Sequence, residues 1–190
     1  MHQEAELSLI KRAIEGDHQA FRILVEFYQA FAYALAHRFL NDKDDAQDIV
    51  QDAFIRVWKN LGRYNPEFKF KTWLSKIVTN LCLDYMKSRE RKNAHGKTKV
   101  DENLTAADDT HLERELEATE LKAIVAQLAG KLTDKQRAVF VLRDLELLQT
   151  EEVCKILGIS PANMKSNLYY ARVKIKVGLQ RYYQQRVPQQ

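Results

Sequence analysis

LTDKQRAVFVLRDLELLQTEEVCKILGISPANMKSNLYYARVKIK, residues 132–176, carries helix start and stop signals in close succession. Thr133 precedes an apolar-periodic run and can accept from the unpaired amides of a first turn. A helix therefore begins there, with Val139, Phe140 and Leu142 as its core face. Thr150 opens a second helix, and Glu151 and Glu152 put carboxylates in its first turn, where the helix dipole favours negative charge. Gly158 stops it. Ser160 caps a third helix whose first position is Pro161, where the missing N–H would have had no intrahelical partner anyway. Two helices joined by a short turn containing Gly form a helix-turn-helix.

The third helix is the recognition candidate. Met164, Leu168 and Ala171 fit an inner face, while Asn163, Lys165, Ser166, Asn167, Tyr170, Arg172 and Lys174 fit an outer one, next to the capping Ser160. That face offers amides suited to an adenine edge, hydroxyls, and cations for phosphates. Tyr182 and Tyr183, further along, read as packing residues. From Lys155 to the end there are seven Lys/Arg and no acid.

Around this motif the chain reads as all-α. It has 190 residues, six Gly and three Pro, and no alternating run that makes a strand. Charge marks the divisions. Residues 86–99 carry six Lys/Arg and one acid, residues 100–120 eight acids and one Arg. We read two small helical domains, 1–92 and 116–190, joined by a flexible acidic linker over 93–115. Helices are expected near 4–15, 17–40, 43–61 and 70–91, with Asp17 capping the second and Gly62 ending the third.

The net charge of +4 and pI near 9.0 suit an anionic partner. Yet DDAQDIVQDAFIRVWKN, residues 44–60, carries an acidic face: Asp45, Asp48, Gln51 and Asp52 lie mostly opposite Ala46, Ile49, Val50, Ala53, Phe54 and Val57 on a helical wheel. DNA would repel that face; a basic protein surface would not. The next stretch, NPEFKFKTWLSKIVTNLCLDYMKSRER, interleaves Phe68, Phe70 and Trp73 with Lys69, Lys71 and Lys76, then adds Asn80, Lys87, Arg89 and Arg91. Rings beside cations suit a single-stranded nucleic acid, whose bases stack while its phosphates pair. Trp73, Leu74, Ile77, Leu81 and Leu83 serve equally as core positions.

Two cysteines, Cys82 and Cys154, make no disulfide framework and read as free thiols. The opening MHQEAELSLIKRAIEG is amphipathic and charged, unlike a signal peptide, and no apolar stretch reaches membrane-spanning length. His2, His18, His37, His95 and His111 are scattered, without HExxH or CxxC spacing or a glycine-rich phosphate loop. No cofactor, metal or catalytic residue is expected. A ligand-sensing transcriptional regulator would share the helix-turn-helix, but leaves the aromatic–basic stretch and the acidic linker without a role.

These motifs, in this order and over about residues 5–186, resemble the extracytoplasmic-function (ECF) sigma factors of the sigma-70 family. The resemblance rests on DAQDIVQDAFIRVWKN and FKTWLSKIVTNLCLDYMKSRER in the first domain, and on LTDKQRAVFVLRDLELLQTEEVCKILGIS and KSNLYYAR in the second. It implies a cytoplasmic bacterial protein that binds core RNA polymerase and directs transcription initiation. By the same resemblance, Asp48, Gln51 and Asp52 (with Asp45 beside them) would dock on the β′ clamp helices, and the β flap would be a second polymerase contact. Residues 63–91, including Phe68, Phe70, Lys71, Lys76, Asn80, Lys87 and Arg91, would melt and read the −10 element and flip a base. The helix from Ser160 would read the −35 element. The linker would thread through the polymerase, and an anti-sigma factor is a common partner in the family. The chain departs from the family pattern at Ala162-Asn163, where Gly-Thr is frequent, at Asn167 and Tyr170, where Arg is frequent, and at Cys154, where a small residue is usual.

Overall fold

The computed structural model describes residues 3–95 and 113–186, with side chains placed over 4–91 and 120–184. Most of the expected linker, 96–112, lies outside the described residues. The first domain comprises α1 (Gln3–Ile14), α2 (His18–Leu40), α3 (Lys43–Asn60), a 3₁₀ turn (Leu61–Arg63) and α4 (Phe70–His95). The second comprises α5 (Glu113–Gly130), α6 (Asp134–Phe140) running into a π-helical turn (Val141–Leu145), α7 (Thr150–Leu157) and α8 (Pro161–Arg186). Among the described residues there is no strand, as the all-α reading requires.

The helix boundaries have local causes. Asp17 Oδ1 accepts from the amides of Gln19 at 2.9 Å and Ala20 at 3.0 Å. The Ala20 amide and the Arg12 guanidinium hold its carboxyl below the usual range. Asp42, which sequence reading passed over, caps α3 in the same way, and Asn41 in the left-handed region ends α2. Gly62 is not a left-handed cap; it sits inside the 3₁₀ turn, and the positive-φ glycines after helix ends are Gly16, following α1, and Gly158, following α7. Thr150 is the first residue of α7, as expected, and Gln149 stands at its N-cap; the Gln149 amide donates to Glu152 Oε2 at 3.1 Å, half of a capping box.

In the first domain α2, α3 and α4 pack around Leu24, Leu35, Phe39, Val57, Phe70, Leu74 and Val78, all fully enclosed. In the second, α6, α7 and α8 close around Val139, Leu142, Val153 and Met164. The two cores are continuous: one cluster of buried apolar residues runs from Ile10 through Met86 to Leu168. The domains therefore lie against each other, with α7 on α4. Polar contacts reinforce the seam. Arg38 donates to Leu145 O at 3.2 Å and pairs with Glu146. Arg137 donates to Phe39 O at 3.1 Å and approaches Met86 Sδ at 3.4 Å. Phe39 O belongs to the last turn of α2, where carbonyls lack intrahelical partners and a cation is favoured.

Candidate nucleic-acid and polymerase interface

The amphipathic pattern of α3 buries Ala46, Ile49, Ala53, Phe54 and Val57 and leaves Asp48, Gln51 and Asp52 exposed in one row. Ile55, half exposed, continues that row. Its spacing, seven residues after Asp48 and three after Asp52, puts it on the acidic side of the wheel; sequence reading counted only the polar positions there and so missed it. Asp45 is engaged elsewhere. Its Oδ1 accepts from the Tyr85 hydroxyl at 2.6 Å, and Arg89 pairs with Oδ2 at 3.3 Å. Burial, then the bond to this carboxylate, pushes the Tyr85 phenol up to about 12. Asp45 thus ties α3 to α4, and its carboxylate is not part of an open acidic face.

The loop before α4 is built on Tyr64. Its hydroxyl donates to Phe68 O, and its ring meets those of Phe70 at 5.7 Å and Trp73 at 5.4 Å. Asn65 Oδ1 accepts from the Glu67 amide at 3.0 Å, and the Phe68 amide donates to Asn65 O at 3.1 Å. A loop pinned at both ends presents the Phe68 ring, 40% exposed, at the start of α4. Phe70, two residues on, is fully buried against Tyr28 and Trp73. It is a core residue and no contact surface for DNA.

Along α4, Lys76, Asn80, Lys87 and Arg91 are all exposed and recur at helical spacing, forming a strip roughly 22 Å long at 1.5 Å per residue, with the exposed Asp84 an acid on the same side of the helix. Thr72 extends it toward Phe68. Lys71 does not belong to it: its ammonium sits over the Phe31 ring at 4.3 Å, on another side of the helix. The seam between the domains meets the start of this strip. Thr72 Oγ1 donates to Glu152 Oε1 at 3.0 Å, and Lys155 Nζ stands 4.6 Å above the Phe68 ring.

In the helix-turn-helix, Gly158 adopts φ 63° and Ser160 Oγ accepts from the Asn163 amide at 3.3 Å. Met164, Leu168 and Ala171 are buried as expected. The outer face is less available than the sequence suggested. The Asn167 amide donates to Asn163 O at 2.9 Å and Oδ1 at 2.5 Å. Arg172 forks onto Asp144 at 2.6 and 2.8 Å, and the hydrogen bond to that carboxylate raises its pKa further. Lys174 donates to Gln136 Oε1 at 3.0 Å. Lys165, Ser166 and Tyr170 are exposed. So is Tyr169, which sequence reading did not single out. Between α6 and α8 an apolar groove of about 490 Å³ is lined by Phe140, Ile175, Leu179 and Tyr183.

An acidic row on α3, a strip of exposed cations on α4 behind an aromatic loop, and a helix-turn-helix define a two-domain helical protein with separate acidic and basic surfaces. The comparisons agree. The chain matches Sigma-70 region 2 over residues 24–92 and Sigma-70 region 4 over residues 122–175. The RNA polymerase sigma-H factor of Pseudomonas aeruginosa is 30% identical, over 94% of this chain and 95% of that protein. The ECF RNA polymerase sigma factor SigW of Bacillus subtilis is 31% identical, over 88% and 92%. In structure, the sigma factor RpoE of Bartonella quintana, solved with the anti-sigma factor NepR, superposes with a TM-score of 0.68 at 20% identity, over 84% of this chain and 96% of that one. The chain belongs to the ECF branch of the sigma-70 family: it is a transcription initiation factor that binds RNA polymerase and recognises promoters. Among the described residues no helix is long and apolar enough to cross a membrane.

Proposed function

We propose that the three surfaces divide the work of initiation, without catalysis by this chain, in the cytoplasm. Asp48, Gln51 and Asp52, with Ile55 beside them, dock on the basic clamp helices of β′. Phe68 and the strip Lys76, Asn80, Lys87 and Arg91 take the melted strand of the −10 element. A base unstacked there loses a few kcal/mol, which stacking of roughly 1–3 kcal/mol per base offsets. The helix following Ser160 enters the major groove of the −35 element, and the groove beside Phe140 receives the β flap. The working units are 1–92 and 116–190, joined by the acidic 93–115 segment. An anti-sigma factor would act by holding the two units together.

The observation that carries this reading is the segregation of charge on two helices packed side by side. The exposed acids of α3 and the exposed cations of α4 occupy separate faces. One suits a basic protein, the other a polyanion. Reading both elements at once also requires opening of the seam. The elements lie roughly 80 Å apart along straight duplex at ~3.4 Å per base pair, whereas Thr72 and Glu152 here are in hydrogen-bond contact. The test is a pair of charge variants with core polymerase. Asp48→Arg with Asp52→Arg should abolish holoenzyme formation. Lys76→Ala with Lys87→Ala should preserve holoenzyme and lose strand opening. If the acidic pair leaves core affinity unchanged, the assignment of the two faces is wrong.

A further inference from the structure

Helix α8 has a layout that its list of polar residues conceals. Taking ~100° per residue, the buried Met164, Leu168, Ala171 and Ile175 define one pole. The opposite pole runs through Ser166, Tyr169, Tyr170 and Val173, and none of these carries a charge. Tyr169 is 64% exposed, Tyr170 55% and Val173 40%. The two tyrosine rings meet edge to face at 5.5 Å, forming one protruding block. Cations stand to either side of this ridge: Lys165 and Lys176 on one flank, Lys174 and Arg181 on the other. The amides expected to read bases are turned on each other, Asn167 onto Asn163, and the Arg172 guanidinium is held by Asp144.

From this we infer that Tyr169 and Val173, with Ser166 and Tyr170, are the specificity-determining residues of α8, and that they recognise thymine through its 5-methyl group. The inference rests on α8 being the −35 reader. The ridge from Ser166 to Val173 is roughly 10 Å long, about three base pairs, and the major groove is ~12 Å wide. A helix lying in that groove sends its outermost ridge to the base edges and its flanks to the phosphate walls. An uncharged, largely aromatic ridge between two cationic rows matches that demand. It presents no guanidinium for the forked contact to guanine O6 and N7; its surfaces are aromatic edges, an isopropyl group and three hydroxyls, those of Ser166, Tyr169 and Tyr170. The thymine methyl is the apolar feature of the major-groove code.

The test uses the full chain with core polymerase. Holoenzyme first selects promoters from a library randomised in the upstream element. Thymines in the selected element are then replaced one at a time by uracil, which removes the methyl and keeps every hydrogen-bonding group. At one or more of these positions open-complex formation should fall roughly three- to fivefold, the weight of one buried methyl. Tyr169→Ala with Val173→Ala, both exposed and so without cost to the fold, should erase that difference. Lys165→Ala should weaken all sequences alike and keep it. If uracil is neutral at every position while an upstream sequence is still selected and still lost in the Tyr169/Val173 variant, the methyl contact is refuted but α8 remains the reader. If no upstream preference depends on any α8 variant, the −35 assignment itself falls.

Discussion

Arg38 and Glu146 join the two domains across 108 residues of sequence, and their exposures differ sharply: 40% for the arginine side chain, 7% for the glutamate. Removing Arg38 leaves a nearly enclosed carboxylate without its partner. Breaking a fully buried pair costs about 3–5 kcal/mol. Here water reaches one side of the guanidinium, so we reduce the expectation to about 2–3 kcal/mol. That shifts the closed-to-open ratio roughly 30- to 150-fold at ~1.4 kcal/mol per decade. Glu146→Gln keeps the shape of the side chain and removes its charge. The double variant Arg38→Ala/Glu146→Gln should therefore cost only about 1 kcal/mol, less than Arg38→Ala alone, because no uncompensated charge is left.

The assay is energy transfer between fluorophores on Lys59→Cys and Gln180→Cys, one in each domain, in a Cys154→Ser background. Arg38→Ala should lower transfer efficiency, and adding Glu146→Gln should restore most of it. Unchanged transfer in Arg38→Ala would show that the apolar seam alone holds the domains. A double variant no better than Arg38→Ala would refute the account of Glu146 as a buried charge in need of its partner.

Thr79 Oγ1 is buried without a hydrogen-bond partner; Thr79→Val should stabilise the first domain by about 1 kcal/mol, read from urea unfolding by the fluorescence of Trp58 and Trp73. Burial pushes the Cys82 thiol up to about 12, whereas Cys154 is only half-buried; near pH 8 a thiol reagent should label Cys154 in the native chain and Cys82 only after unfolding. Asp17 titrates below its ordinary value because the Ala20 amide and Arg12 favour its charged form. Its stabilising contribution is therefore complete above the ordinary Asp range and is lost as pH falls through the lowered folded value. Asp17→Asn keeps the cap without that proton, so the denaturation midpoints of the two proteins should converge as pH is lowered from about 5 to about 2.5.

The helix-turn-helix was legible because every signal in it is local. A cap, its acceptor, a Gly stop and the next cap lie within a few residues of one another, and Thr133, Gly158 and Ser160 occupy the expected places. Phe70 was misread for a reason visible in the structure. The alternation Phe68-Lys69-Phe70-Lys71 straddles a loop and a helix start, so no single period says which rings point outward. Only the Tyr64, Tyr28 and Trp73 rings, brought in from elsewhere, decide that Phe70 is core. Asn167 and Arg172 were placed on the correct side of α8, but wheel positions do not reveal a side chain's hydrogen bonds. Neither could the domain seam be read: Arg38 with Glu146 and Arg137 with Phe39 are pairs about a hundred residues apart, beyond the reach of any local spacing.

The seam gives the acidic row of α3 a second consequence. The closed arrangement covers part of the surface that the proposed function needs, since α7 reaches Phe68 and Thr72 through Lys155 and Glu152. A partner that engages only the open form binds more weakly by the factor that closure imposes. Core polymerase must then supply, through contacts such as those to Asp48 and Asp52, the free energy that separates the domains. Docking and closure pull on one equilibrium from opposite ends. Asp48→Arg should lower core affinity by removing a contact made in the open form. Arg38→Ala should raise it, by at most the 30- to 150-fold released from closure, although Arg38 lies on α2 rather than on the acidic row of α3. A residue that strengthens binding when deleted, without touching the partner, is the signature of a chain whose two halves compete with the polymerase for each other.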